Sequence, residues 1–137
     1  VLGSTISYNN FPESLTQIYN KVQEADLLVI ASPVYKASYT GLLKHFFDLL
    51  DPKVLVGKVA ILAATGGSDQ HALVVDYQLR TLASFFNVYT TPTAIYAKDT
   101  EFTDYKLTSE SISKRVEVAV EQALFLLKQE SPQSLVA

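Results

Sequence analysis

Two short turns carry the residue types that could do chemistry. Ser32-Pro33-Val34-Tyr35-Lys36 follows one apolar run, and Thr65-Gly66-Gly67-Ser68 follows the next. A turn at a strand end exposes backbone N–H groups, and glycine lets a flat ring come close to the backbone. A helix N-terminus beside such a turn favours anionic atoms. A ligand with a planar, polar-edged ring and a phosphate suits that combination. Taken singly, Pro33 and Gly66-Gly67 read as ordinary turn residues. Placed after neighbouring strands, the two turns read together as a ligand site.

The remaining candidates say less. His71 opens the helical segment after the second turn, where it reads as a capping or surface residue with the option of touching a ligand. His45 lies between Lys44 and Phe46 and reads as a solvated helix residue. No carboxylate stands at ligand spacing from either His, which argues against a metal site. Lys36 is placed to meet a phosphate as a point charge, or to be solvated. No Ser-His-Asp arrangement has support beyond the residue types themselves.

The elements that must position these turns alternate along the chain. Leu15, Ile18, Tyr19 and Val22 recur at helical spacing behind Pro12. Leu27 to Ala31 is a short apolar run that reads as a strand buried on both faces. Leu42, Leu43, Phe46, Phe47 and Leu50 mark one face of the next helix, which stops at Asp51-Pro52. Lys58 to Thr65 is a second buried strand. Asp69 to Phe86 is helical, with Leu73, Val74, Tyr77, Leu82 and Phe86 inward. Val88 to Tyr96 is a third strand in which Pro92 predicts an edge or an irregular start, and Lys98 to Lys106 is a polar loop. The last helix runs from Ser109 to Lys128, capped by Thr108 or Ser109, with Ile112, Val116, Ala119, Val120, Ala123 and Leu127 inward. The tail from Ser131 reads as loose.

This order predicts an α/β fold, a doubly wound parallel sheet with helices on both faces and right-handed crossovers. A flavodoxin-type sheet has five strands in the order 2-1-3-4-5. Here Val1 to Ser4 looks like the end of one strand, and the stretch before Glu13 has no room for a helix and a second strand. The expectation is a single domain over residues 1–137 that is incomplete at its N-terminus or lacks a segment near Ser4–Thr5.

Composition narrows the partners. The chain has 137 residues and is 48% hydrophobic, enough to bury a core without staples. A net charge of −3 gives no electrostatic reason to expect nucleic acid or an anionic membrane. It has no Cys, which excludes a disulfide framework, a thiolate metal site and a Cys nucleophile and suits the cytoplasm. No run is long enough to span a bilayer.

The segments ASPVYKASYTGLLKHFFDLLD (Ala31–Asp51) and GKVAILAATGGSDQHALVVDYQLR (Gly57–Arg80) resemble the NAD(P)H-dependent FMN reductases of the flavodoxin-like superfamily, in particular those of alkanesulfonate-utilising two-component monooxygenase systems. The likeness runs from about Glu13 to Lys128 and rests on a P-x-Y turn, a T-G-G turn and a helix carrying H-x4-D-Y. It implies that Pro33, Val34, Tyr35 and Lys36 hold the flavin and its ribityl side. Thr65, Gly66, Gly67 and Ser68 would present backbone donors to the pyrimidine edge. Gly3 and Ser4 would be the remnant of the phosphate loop, whose further Ser and Arg residues are absent here.

Tyr77 carries two readings. A plain α-helix puts it on the core face. The resemblance makes it an inserted residue in a π-bulge near the flavin, at the interface of a homodimer or homotetramer, and that reading is preferred. The function implied is hydride transfer from NADH or NADPH to FMN without a catalytic acid or base, with reduced flavin passed to a partner monooxygenase. The alternatives are an FMN-bound quinone, azo-dye or chromate reductase on the same fold, and a non-enzymatic flavodoxin-type electron carrier.

Overall fold

In the computed structural model, which describes residues 11–129, β2 (Val59–Gly66) is the central strand. It pairs in parallel with β1 (Leu27–Pro33) on one side, and with β3 (Tyr89–Thr90) and β4 (Ile95–Lys98) on the other. Both faces of β2 are apolar. Ala60, Leu62 and Ala64 meet residues of α2 (Gly41–Asp48), a π-helical turn (Val75–Leu79) and α3 (Arg80–Phe85). Val59 and Ile61 meet Ala119 and Ala123 of α4 (Glu110–Lys128). Burial on both faces is why this run reads as continuous rather than alternating. Tyr19 and Val22 of α1 (Glu13–Glu24) close the first layer. The Val1–Ser4 stub, with Gly3 and Ser4, and the tail from Ser131 lie outside the described residues.

β1 departs from the expectation of burial on both faces. Ile30 and Ser32 are buried, but Val29 is 67% exposed and Ala31 is open too. Ile30 joins the core cluster under α2 and α3, whereas on the other face only Leu27 packs against the α4 layer, and Val29 and Ala31 are left uncovered among the described residues. On α2, Thr40 caps the first turn by accepting from the Leu43 N–H at 3.2 Å. Phe47 packs inward, edge-on to Phe86 with centroids 5.5 Å apart. Leu42, expected inward, is exposed, while Leu43, Phe46 and Phe47 form the face that packs on the core.

The segment from Asp69 to Phe86 is not one α-helix. It opens with a 3₁₀ turn (Asp69–His71), passes through the π turn and only then becomes α3. The Arg80 N–H donates to the Val75 carbonyl five residues back, so the turn holds one residue more than α geometry allows. That extra residue rotates the inward set to Val74, Val75, Leu79, Ala83 and Phe86. Leu73, expected inward, is exposed; so is Tyr77, which a plain 3.6 period puts inward and which instead lies in a π turn, as the preferred reading has it.

The third strand breaks at Pro92 into β3 and β4, and side chains satisfy the backbone groups freed there. Arg80 donates to the Thr91 carbonyl at 3.0 Å and to the Thr90 hydroxyl at 2.7 Å, while gripping Asp76 at 2.8 Å. Gln122 accepts from the Thr93 N–H at 2.9 Å, and Arg115 donates to the Ala94 carbonyl at 2.7 Å. The predicted loop after β4 contains a 3₁₀ turn (Asp99–Glu101) and a tight hairpin, β5 (Phe102–Thr103) with β6 (Lys106–Leu107). Ser109, not Thr108, caps α4. Of the inward set expected on α4, Ile112, Ala119 and Ala123 are buried. Val120 and Leu127 are partly exposed, because the two alanines one turn apart set the line of contact with the sheet.

Candidate functional site

Register brings the two turns together. Pro33 at the end of β1 lies opposite Thr65 near the end of β2, and the Val34 N–H donates to the Thr65 carbonyl at 2.7 Å. Both chains therefore leave the sheet side by side at its carboxyl edge, where ligands of open α/β sheets bind.

The first turn is tied down from its base to its tip. Buried Ser32 donates to the Pro33 carbonyl at 2.9 Å and accepts from the Thr40 N–H at 3.0 Å, pinning both ends of the loop. At the tip, Tyr35 and Ser38 exchange backbone hydrogen bonds of 2.8 and 3.2 Å around Lys36 and Ala37. These two central residues have φ of 51° and 65°. Positive φ at both positions is the type I′ pattern, which usually takes Asn or Gly. For side chains with a Cβ the conformation costs about 1 kcal/mol each. Gln78, in the π turn, reaches across to this tip. Its Oε1 accepts from the Ser38 hydroxyl, and its Nε2 donates to the Ala37 carbonyl at 3.0 Å. The Tyr35 and Lys36 side chains are exposed.

The second turn is held differently. A Cβ on Gly66 would lie 2.5 Å from the Tyr96 hydroxyl and 3.3 Å from its ring, so any larger residue there would force the Tyr96 side chain of β4 to shift. The Tyr96 hydroxyl donates to the Ser68 carbonyl at 2.6 Å, and burial pushes its phenol pKa upward. Gly67 has room, since a Cβ there would meet only the Asp99 carboxylate, at 3.7 Å. Among the described residues the backbone N–H groups of Gly67 and Ser68 donate to nothing. Lys98 pairs with Asp69 at 3.0 Å beside the turn, and the hydrogen bond to Asp69 raises the lysine pKa.

The structure thus brings Pro33, Val34, Tyr35 and Lys36 beside Thr65, Gly66, Gly67 and Ser68. His71 follows in the 3₁₀ turn, and His45 is exposed on α2. Among the described residues no cluster of three or more metal-ligating side chains occurs. Tyr77 stands 73% exposed on the π turn, in a shallow groove with Tyr39, Lys44 and Phe85. Sequence reasoning placed Ser32 in the first turn but gave it no role, and it missed Thr40, Gln78 and Tyr96, which shape the turns without belonging to them. Local spacing could not reveal them, because their partners are 8 to 41 residues away.

Residues 3–103 match the family described as NADPH-dependent FMN reductase. A Pseudomonas aeruginosa protein, "FMN reductase (NADPH)", is 47% identical over 122 residues, covering 89% of this chain and 66% of that protein. The chain thus spans slightly under two thirds of that relative's length. The solved apo form of "NADH:FMN oxidoreductase (EMOB)" superposes with a TM-score of 0.77 at 32% identity, covering 93% of this chain and 66% of the other. A flavodoxin, WrbA-like protein from Agrobacterium tumefaciens gives a TM-score of 0.69 at 15% identity, over 90% of this chain and 78% of that one. That last likeness concerns the fold, which is flavodoxin-like.

Proposed function

This chain belongs to the NADPH-dependent FMN reductase family, and from that premise we propose that it reduces FMN with NADPH or NADH. The observation that carries the reading is the pair of adjacent strand-end turns with unused backbone donors at Gly67 and Ser68. Those residues fit a flavin. The N–H groups of Gly67 and Ser68 suit the polar edge of its ring system, and open space at Gly67 admits a flat ring. The Pro33–Lys36 turn borders the same edge and would hold the ring and ribityl side. Bound flavin supplies the hydride-accepting chemistry, with the reduced nicotinamide stacked on its face. The chain's own part is to orient the ring and to leave one face of it open.

The reading extends to a partner. Reduced FMN would pass to a flavin-dependent monooxygenase of the sulfonate-sulfur type, in the cytoplasm, with the reductase assembled as a homodimer or homotetramer. Exposed Tyr77 beside Phe85 supports an assembly surface next to the site. Among the described residues no helix is long and apolar enough to cross a membrane.

The test is NADPH and NADH oxidation by desalted full-length protein at varied free FMN. Saturable oxidation that depends on added FMN is the expected result. A yellow protein that oxidises the nicotinamide only with a quinone or dye present would replace this reading with a tight-flavin reductase. No oxidation under either condition would leave an electron carrier.

A further inference from the structure

We infer that Gln78 is a positioning residue, which holds the Tyr35–Ser38 turn in the shape that receives the flavin and links that turn to the π turn. The inference rests on the functional reading above and adds a residue to it. Three observations carry it.

The first is the conformation of the turn. Lys36 and Ala37 both sit at positive φ without being glycine or asparagine. Positive φ at two residues that carry a Cβ costs free energy, so hydrogen bonds from outside the turn add to what holds it in this shape. The second is what holds it. The backbone pair between Tyr35 and Ser38 closes the turn, and among the described residues only Gln78 reaches its tip from another element. One amide group does two jobs at once. Its oxygen accepts from the Ser38 hydroxyl and its nitrogen donates to the Ala37 carbonyl. A side-chain amide carries a donor and an acceptor at once, which is what these two partners require.

The third observation is where Gln78 stands. It lies inside the π turn, whose extra residue displaces side chains from α-helical register. Val75 and Leu79 on the same turn are fully buried, so the turn is anchored in the core. Arg80 fastens its far end to the break between β3 and β4. A rigid, core-anchored turn therefore presents an amide to a strained turn at the sheet edge. Tyr77, the neighbouring residue, is on the exposed side. An event at Tyr77 that shifted the π turn would move Gln78 and so be felt at the flavin turn.

The test compares full-length wild-type protein with Gln78→Met, which keeps length and loses both hydrogen bonds. FMN affinity is read by quenching of flavin fluorescence, alongside thermal stability and hydrogen exchange of the segment 33–40. The expected result is FMN binding weakened roughly tenfold, the size of two neutral hydrogen bonds. Exchange at Tyr35 and Ser38 should quicken while the melting temperature moves little. Adding Ala37→Gly to Gln78→Met should recover much of the affinity, because glycine accepts positive φ without help. Adding Ser38→Ala instead should cost no further affinity, since its partner is already gone.

Unchanged FMN affinity in Gln78→Met, with wild type binding normally, overturns the inference and leaves the functional reading standing. Weakened binding that Ala37→Gly fails to recover also overturns it, and assigns Gln78 to direct ligand contact or to the π turn alone. Failure of wild type to bind FMN overturns the functional reading and this inference with it.

Discussion

The Tyr35–Ser38 turn and the Thr65–Ser68 turn sit side by side and are built on opposite plans. The first has residues with side chains at positive φ, and polar groups of Ser32, Thr40 and Gln78 hold it. The second has glycines, a single tyrosine strut, and two backbone N–H groups left unused by the described residues. One turn keeps its shape through side-chain hydrogen bonds and stores strain. The other keeps its shape through close packing and leaves its backbone free for a ligand. The lesson is that glycine in a binding turn need not be there for the ligand. Gly66 answers to Tyr96, whereas Gly67 has space that nothing in the described residues fills.

The comparison breaks most visibly at Gly66. Gly66→Ala should destabilise the protein by about 1–3 kcal/mol in urea unfolding, the usual range for overpacking. Tyr96→Phe in the same chain should recover part of that loss, because the nearest atom is the hydroxyl at 2.5 Å. A full loss that persists in the double variant would mean that backbone, not Tyr96, demands the glycine.

Tyr96→Phe alone should cost about 1 kcal/mol near neutral pH, from the bond to the Ser68 carbonyl. It should also change the alkaline limb. Burial raises the Tyr96 pKa above its ordinary value of 10.0 in the folded state. The neutral phenol is therefore the form that folding favours. Its contribution is fully present below the unfolded value and fades as pH rises through the folded one. Unfolding curves from about pH 9 upward should fall less steeply for the phenylalanine variant, whose position 96 no longer titrates.

Ala37→Gly sharpens the other side of the comparison. Relief of positive φ, offset by the entropy of glycine in the unfolded chain, should stabilise by about 0.5–1 kcal/mol. A destabilised variant would show that the turn is not strained as its φ angles imply. Gly67→Ala should have the smallest effect on stability, within about 0.5 kcal/mol, because a methyl there meets only ordinary contact. It should nevertheless weaken FMN binding, since the methyl enters the space assigned to the ring. Separation of the two readouts at this one residue is the point of the variant.

The strands and their order are legible in the sequence because β2 is apolar on both faces and its neighbours begin and end in clear turn residues. The two site turns follow from that, as Pro33 and Gly66-Gly67 mark strand ends. The face assignments are less legible. Leu73 and Tyr77 read inward from a plain 3.6-residue period; the π turn at Tyr77 is legible only through the family resemblance, since periodicity alone does not mark an inserted residue. Val29 reads as buried because an apolar strand does not declare how far a helix covers its second face. Gln78 and Tyr96 escape notice for a simpler reason. Their roles arise from contacts across 41 and 28 residues of chain, which local pattern does not encode.

The central claim is that the two turns form one flavin site. Titrating FMN into isotope-labelled full-length protein, and following the backbone amides, tests it most directly. The account predicts that the Gly67 and Ser68 amides shift most, and that Tyr35 to Ser38 shift with the same saturation curve. Shifts centred on the groove between Tyr39 and Phe85, with Gly67 and Ser68 unmoved, would contradict it.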